Sequence, residues 1–72
     1  MNLRRSRSAL RDRLRAYGSY EKAARAIAIA GVDVSGSYLS LLVRGERDPS
    51  VQKARDLARV LDIDLLDVIG SP

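Results

Sequence analysis

The chain has 72 residues, 13 basic and 9 acidic side chains, and a formal net charge of +4. That length fits one small domain spanning 1–72, with a compact core and a stability of roughly 3–5 kcal/mol. With no cysteine and no histidine, disulfides, thiolate metal sites and the commonest general base are excluded.

Apolar residues recur at helical spacing, and neither β-branched runs nor period-two alternation is present. We therefore expect an all-α fold of five helices. The first, α1, is expected over about 3–17. Leu3, Leu10, Leu14 and Tyr17 form its apolar stripe, with Arg4, Arg5, Arg7, Arg11, Arg13 and Arg15 around it. Asn2 is a possible cap, or residues 1–5 form a loose basic arm. Gly18 is the expected stop. The second, α2, covers about 20–30, capped by Ser19, with Glu21 favoured in its first turn and Gly31 as its stop. Tyr20, Ala23, Ala24 and Ile27 share its inner face, where small residues allow another helix to approach.

The third, α3, covers about 36–44, between a Ser35 cap and a Gly45 terminator. At 100° per residue Leu39, Leu42 and Val43 point inward; Ser37, Leu41 and Arg44 point outward, flanked by Tyr38 and Ser40. The fourth, α4, covers about 50–61. Asp48 or Ser50 caps it, Pro49 fits its entry, and Val51, Ala54, Leu57, Ala58 and Leu61 make its buried stripe. The fifth, α5, covers about 65–69 behind Asp64. Leu65, Leu66, Val68 and Ile69 are more apolar groups than one side of so short a helix can bury, which points to a dimer surface.

Charge is uneven along the chain. Residues 1–30 carry eight basic and two acidic groups, residues 31–60 five and four, and residues 61–72 none and three. A basic front and acidic tail imply a polyanion partner at one face, or a solubilising asymmetry. No apolar run approaches the ~20 residues that span a bilayer, and no signal-peptide core is visible, so a cytoplasmic, nucleoid-associated protein is expected. Arginine is used eleven times and lysine twice, a bias that fits a GC-rich bacterial or phage genome.

The segment 34–50 carries the chemistry. A helix in a DNA major groove needs an exposed face free of bulky anions, and no acidic residue lies between Ser35 and Arg44. The start of α3 offers backbone N–H groups and the Ser35 and Ser37 hydroxyls to phosphate or base edges. Ser37 and Ser40 can donate or accept, Leu41 can pack on a thymine methyl, and Tyr38 can reach a base or phosphate. Arg44 suits a phosphate, and Arg47 the backbone or a guanine edge. Each has a plainer role. Ser35 is a cap in any case, Tyr38 a packing residue, Leu41 an exposed leucine or protein contact. Arg44 and Arg47 are alternatively solvated or paired with Glu46 and Asp48.

Val34, Ser35, Ser37, Leu39, Leu42, Arg44, Gly45, Arg47, Pro49 and Ser50 together resemble the recognition helix and following loop of the lambda-repressor-like (Cro / xenobiotic-response-element type) helix-turn-helix DNA-binding family. Leu57 to Ile63 resembles that family's fourth helix and the turn into its fifth, and the resemblance extends over about residues 6–69. It implies a compact five-helix domain whose helix-turn-helix is formed by α2 and α3. It places Gly36, Ser37, Tyr38 and Leu41 at base-facing positions, and Ser35, Ser40, Arg44 and Arg47 at phosphate or backbone positions. The chain departs from the pattern in three ways. Gly31 to Ser35 is about two residues longer than the usual tight turn. Val43 stands where glutamate is frequent. Also, α3 lacks the glutamine and asparagine side chains of strong bidentate readout, shifting specificity toward Arg47, the N-terminal arginines and DNA shape.

The leading expectation is a sequence-specific double-stranded DNA-binding protein, a transcriptional repressor or phage-type regulator acting by operator occupancy. A homodimer would place two α3 helices in successive major grooves, roughly 34 Å apart, on an inverted repeat. Arg4, Arg5 and Arg7 would contact phosphate or enter a minor groove as an arm. No cofactor, metal or small-molecule ligand is expected. The alternative is a protein-interaction module such as the antitoxin of a toxin-antitoxin pair, supported by α5 and Leu41. A third reading makes residues 1–17 an Arg-rich membrane-surface or RNA-binding helix. An enzyme is least favoured, since the sequence offers no nucleophile–base pair and no glycine-rich phosphate loop.

Overall fold

The computed structural model describes residues 7–70. Within them lie α1 (Ser8–Arg15), α2 (Tyr20–Ile29), α3 (Gly36–Val43), α4 (Val51–Leu61) and α5 (Leu65–Ile69), with no strand among the described residues. Three of these helices start on a serine. The Oγ atoms of Ser19, Ser35 and Ser50 accept hydrogen bonds, each 3.1 Å, from the backbone N–H of Lys22, Tyr38 and Lys53. Each serine satisfies a donor that the first turn leaves over. Ser50 rather than Asp48 therefore caps α4, and Pro49 stands one residue before the cap.

The expected stops Gly18, Gly31 and Gly45 each follow their helix. Gly45, at φ +74, is the left-handed residue after α3. It lets its own N–H reach Leu42 O (3.1 Å) and that of Glu46 reach Leu41 O (3.0 Å). The last carbonyls of α3 are thus paired within a tight turn. α4 ends the same way on Asp62, a non-glycine at φ +55, with Ile63 N–H bonded to Ala58 O at 3.1 Å. Aspartate is among the few side chains that tolerate this conformation.

One apolar cluster joins all five helices: Leu10, Leu14, Ala23, Ala24, Ile27, Val32, Leu39, Leu42, Ala54, Leu57, Leu61 and Val68. Ala23 and Ala24 let α2 lie close on α3, its main partner, while α5 packs on α4 and α1. Three expectations change here. The first helix begins at Ser8, with Arg7 at its N-cap position; Asn2, Leu3 and the proposed 1–5 arm lie outside the described residues. Val51, expected inside, is 66% exposed, because it opens α4 one turn beyond the layer that Ala54 reaches. Val68, expected on a dimer surface, is fully buried in the chain's own core and Ile69 packs against that core. The short α5 thus turns two of its four apolar groups inward and leaves Leu65 and Leu66 outside.

Two arginines of the basic N-terminal region serve the fold. Arg13 Nε donates to Leu61 O at the end of α4, 2.8 Å away. Arg7 is 3% exposed and bonds the last turn of α3, the following loop and the end of α5. A guanidinium suits helix C-termini, where orphan carbonyls concentrate partial negative charge.

Candidate nucleic-acid interface

The outer side of α3 and the start of α2 form an open cleft of about 330 Å³, lined by Tyr20, Glu21, Gly36, Ser37, Ser40, Leu41 and Arg44. Its shape follows from the helix pair. Leu39 and Leu42 are anchored in the core, so residues half a turn away face out. Ser37 and Arg44 are exposed, and Ser40, Leu41 and Tyr38 are half-buried. These are the orientations expected from helical spacing.

Gly36 departs from its expected base-facing role. It is buried under α2. A Cβ added there would lie 2.9 Å from Glu21 Oε1 and 3.1 Å from the Glu21 backbone nitrogen. Its place is a close approach of two backbones at the floor of the cleft, where it offers no side chain to a base. The expected phosphate role of Arg7 is likewise corrected: its side chain is fully enclosed and its charge is spent on protein carbonyls and Asp48. Arg4 and Arg5 lie outside the described residues.

The remaining groups meet on one side. Ser35 is exposed, and while its Oγ accepts from Tyr38 N–H, its own O–H remains a donor. Arg44 Nε lies 2.9 Å from Glu46 Oε2 with both side chains partly exposed. Such an ion pair contributes at most about 1 kcal/mol, so a phosphate can displace it. Arg47 does not pair with Asp48. Its guanidinium stands over the Tyr38 ring, 5.6 Å from the centroid, a cation–π contact that holds a flexible side chain at the mouth of the interface. Burial raises the Tyr38 phenol above its ordinary value, while the Arg47 and Arg7 charges oppose that shift. The phenol is therefore neutral near pH 7 and can donate.

Sequence reading missed four contributors. Glu21 brings a carboxylate to the edge of a helix face that has no acid of its own, and no local pattern ties residue 21 to residue 36. Arg7 and Arg13 read as solvated or DNA-facing, because a basic residue beside an apolar stripe gives no sign of distant carbonyls. Lys53, whose Nζ donates to Asp33 O at 2.8 Å, ties the longer 30–35 turn to α4. No group of acidic residues that could hold a metal occurs among the described residues, and no helix there is long and apolar enough to cross a membrane.

An all-helical chain in which α2 supports an outward-facing α3, capped at its start and followed by a basic loop, is a helix-turn-helix domain. The sequence pattern of the helix-turn-helix family matches residues 11–68, and the chain belongs to that family, of the lambda-repressor/Cro-like type. The family is one of DNA-binding transcription regulators rather than enzymes. No curated protein and no solved structure matches the chain.

Proposed function

We propose that this protein is a sequence-specific double-stranded DNA-binding repressor that acts by occupying its operator. One observation carries this reading: Ser37, Ser40, Leu41 and Arg44 share the outer face of a rigidly anchored helix, with Arg47 held over Tyr38 at its end. Seated in a major groove, Ser37 and Leu41 would meet base edges, Tyr38 a base or phosphate, and Ser35, Ser40 and Arg44 the backbone. Arg47 would reach the backbone or a guanine. Glu21 would accept from a cytosine amino group, or repel phosphate and thereby restrict the register.

A homodimer would place two such helices on an inverted repeat. Leu66, 71% exposed, and Leu65 beside it are the apolar groups left for that contact. The test is selection of bound duplexes from a random DNA pool at about 150 mM salt, followed by sequencing. The expected result is an inverted repeat with half-sites about one helical turn apart. Salt-sensitive binding with no enriched sequence would refute a specific regulator.

The exposed Ile29 at the C-terminal end of α2, 83% accessible, favours one further reading, that of an antitoxin-type module binding a second protein. Enrichment of a single half-site, together with a monomer at sedimentation equilibrium, would turn the choice toward it.

A further inference from the structure

Arg7 is the one charged side chain buried among the described residues, and its surroundings are built around it. Nε donates to Ile69 O (3.1 Å), Nη1 to Leu42 O (2.7 Å) and Arg47 O (2.9 Å), and Nη2 to Asp48 Oδ1 (2.7 Å) and Ile69 O (2.9 Å). A guanidinium has five N–H donors, and all are engaged. The acceptors come from three segments: the last turn of α3, the loop after it and the end of α5.

We propose that Arg7 is a positioning residue for DNA recognition, setting from inside the protein where Arg44 and Arg47 stand. The proposal rests on the DNA-binding reading above. Arg44 follows α3 by one residue, and α3 is held at Leu42 O. Arg47 is held by its own carbonyl, and Asp48 by its carboxylate. Both DNA-facing arginines therefore lie on a stretch of chain tied at both ends to one rigid fork. Lysine cannot substitute, because three donors radiating from a single nitrogen do not span acceptors on three segments. The same fork joins the loop to Ile69 at the end of α5.

A purely stabilising role makes a different forecast. Removing Arg7 strands the acceptors it serves and destabilises the fold as a whole. A purely stabilising role would therefore speed exchange at Leu57 as much as at Gly45 and Glu46, whereas a positioning role loosens the loop beyond that. The experiment compares the full chain with Arg7→Met, the charge-conserving Arg7→Lys, and Arg13→Met, which removes a single bond at the far end of α4. It is run below all melting midpoints. Backbone amide exchange is read at Gly45 and Glu46, which bond Leu42 O and Leu41 O, with Leu57 in α4 as reference. Affinity for a mixed-sequence DNA duplex is read across a salt series.

For Arg7→Met we expect exchange at Gly45 and Glu46 to rise by about tenfold relative to Leu57, with DNA affinity falling by about tenfold. Arg7→Lys, which keeps the charge but not the fork, should move both in the same direction by less, which carries the test if Arg7→Met does not fold. Arg13→Met should move neither. Exchange at Gly45 and Glu46 unchanged relative to Leu57 overturns the proposal whatever the DNA result. A loosened loop with unaltered affinity overturns the recognition role. If the unmodified chain binds no duplex, the DNA-binding reading fails, and with it any part of Arg7 in recognition.

Discussion

Gly36→Ala sets helix propensity against packing, and the structure decides between them. Alanine is favoured over glycine in a helix interior by up to about 1 kcal/mol, and less at the first helical position, where residue 36 stands. Reduced freedom of the unfolded chain adds stabilisation of the same sign, about 0.4–1 kcal/mol. Against this, the new Cβ would lie 2.9 Å from Glu21 Oε1, 3.1 Å from its Cδ and 3.1 Å from its backbone nitrogen. The carboxylate can swing away, since Glu21 is exposed. The backbone nitrogen cannot, because it lies in the first turn of α2, whose Ala23, Ala24 and Ile27 are locked in the core. The two helices must therefore separate by a few tenths of an ångström, an overpacking cost of about 1–3 kcal/mol. We expect net destabilisation of about 1 kcal/mol, which lowers the melting midpoint by roughly 4–8 °C in a domain of this size. Far-ultraviolet circular dichroism of the full chain measures it. Glu21→Ala in the same background should recover only part of the loss, because the backbone contact remains. A midpoint that rises on Gly36→Ala would refute the reasoning, since α2 and α3 could not then be as close as described.

Other outcomes follow from the same geometry. Leu57→Ala empties a fully buried position at a cost of about 2–5 kcal/mol; this rivals the total of roughly 3–5 kcal/mol available at this size, and a loss below about 1 kcal/mol in urea unfolding would reject the core assignment. Arg44→Ala should weaken binding to all duplexes and lower the salt slope by about one, the signature of a lost phosphate contact; an identical slope would remove Arg44 from the interface. Glu21→Gln should tighten mixed-sequence DNA binding at low salt while changing stability by no more than about 0.5 kcal/mol; weaker binding would show instead that the carboxylate contacts the DNA favourably. The raised Tyr38 value gives a pH dependence of definite sign. Burial favours the neutral phenol in the folded chain, so its contribution is complete below the ordinary tyrosine range and is lost as pH rises through the folded value. Tyr38→Phe should flatten the alkaline fall in stability, and an unchanged alkaline limb would contradict it.

Most of the helical framework was legible because its signals are local. A serine before an apolar-periodic run, and a glycine after it, act within one turn of their own helix. Thus Ser19, Ser35 and Ser50 and the stops at Gly31 and Gly45 marked α2, α3 and α4 to within a residue or two. Periodicity likewise placed Leu39 and Leu42 inside and Ser37 and Arg44 outside. The end of α4 at Leu61 was placed by its apolar stripe and by the resemblance of residues 57–63 to the family's turn. The left-handed conformation of Asp62 had no sign of its own, since such an aspartate looks like any other in a chain.

What the sequence determined by itself was therefore the presence of five helices, the ends of α2, α3 and α4 and most of their apolar stripes, together with the family and its DNA-binding role through the pattern at 34–50. Tertiary structure alone decided which exposed-looking groups are inside. Gly36 became the contact point of two helices when α2 crossed it, and Val68 left the surface when α5 folded onto α1 and α4. Arg7, one of six arginines that look alike near the N-terminus, became a buried anchor. The reason is that a cap or a stripe is satisfied by neighbours three or four residues away. The partners of Arg7 lie 35, 40, 41 and 62 positions along the chain, and only the folded packing brings them within 3 Å or so of one guanidinium.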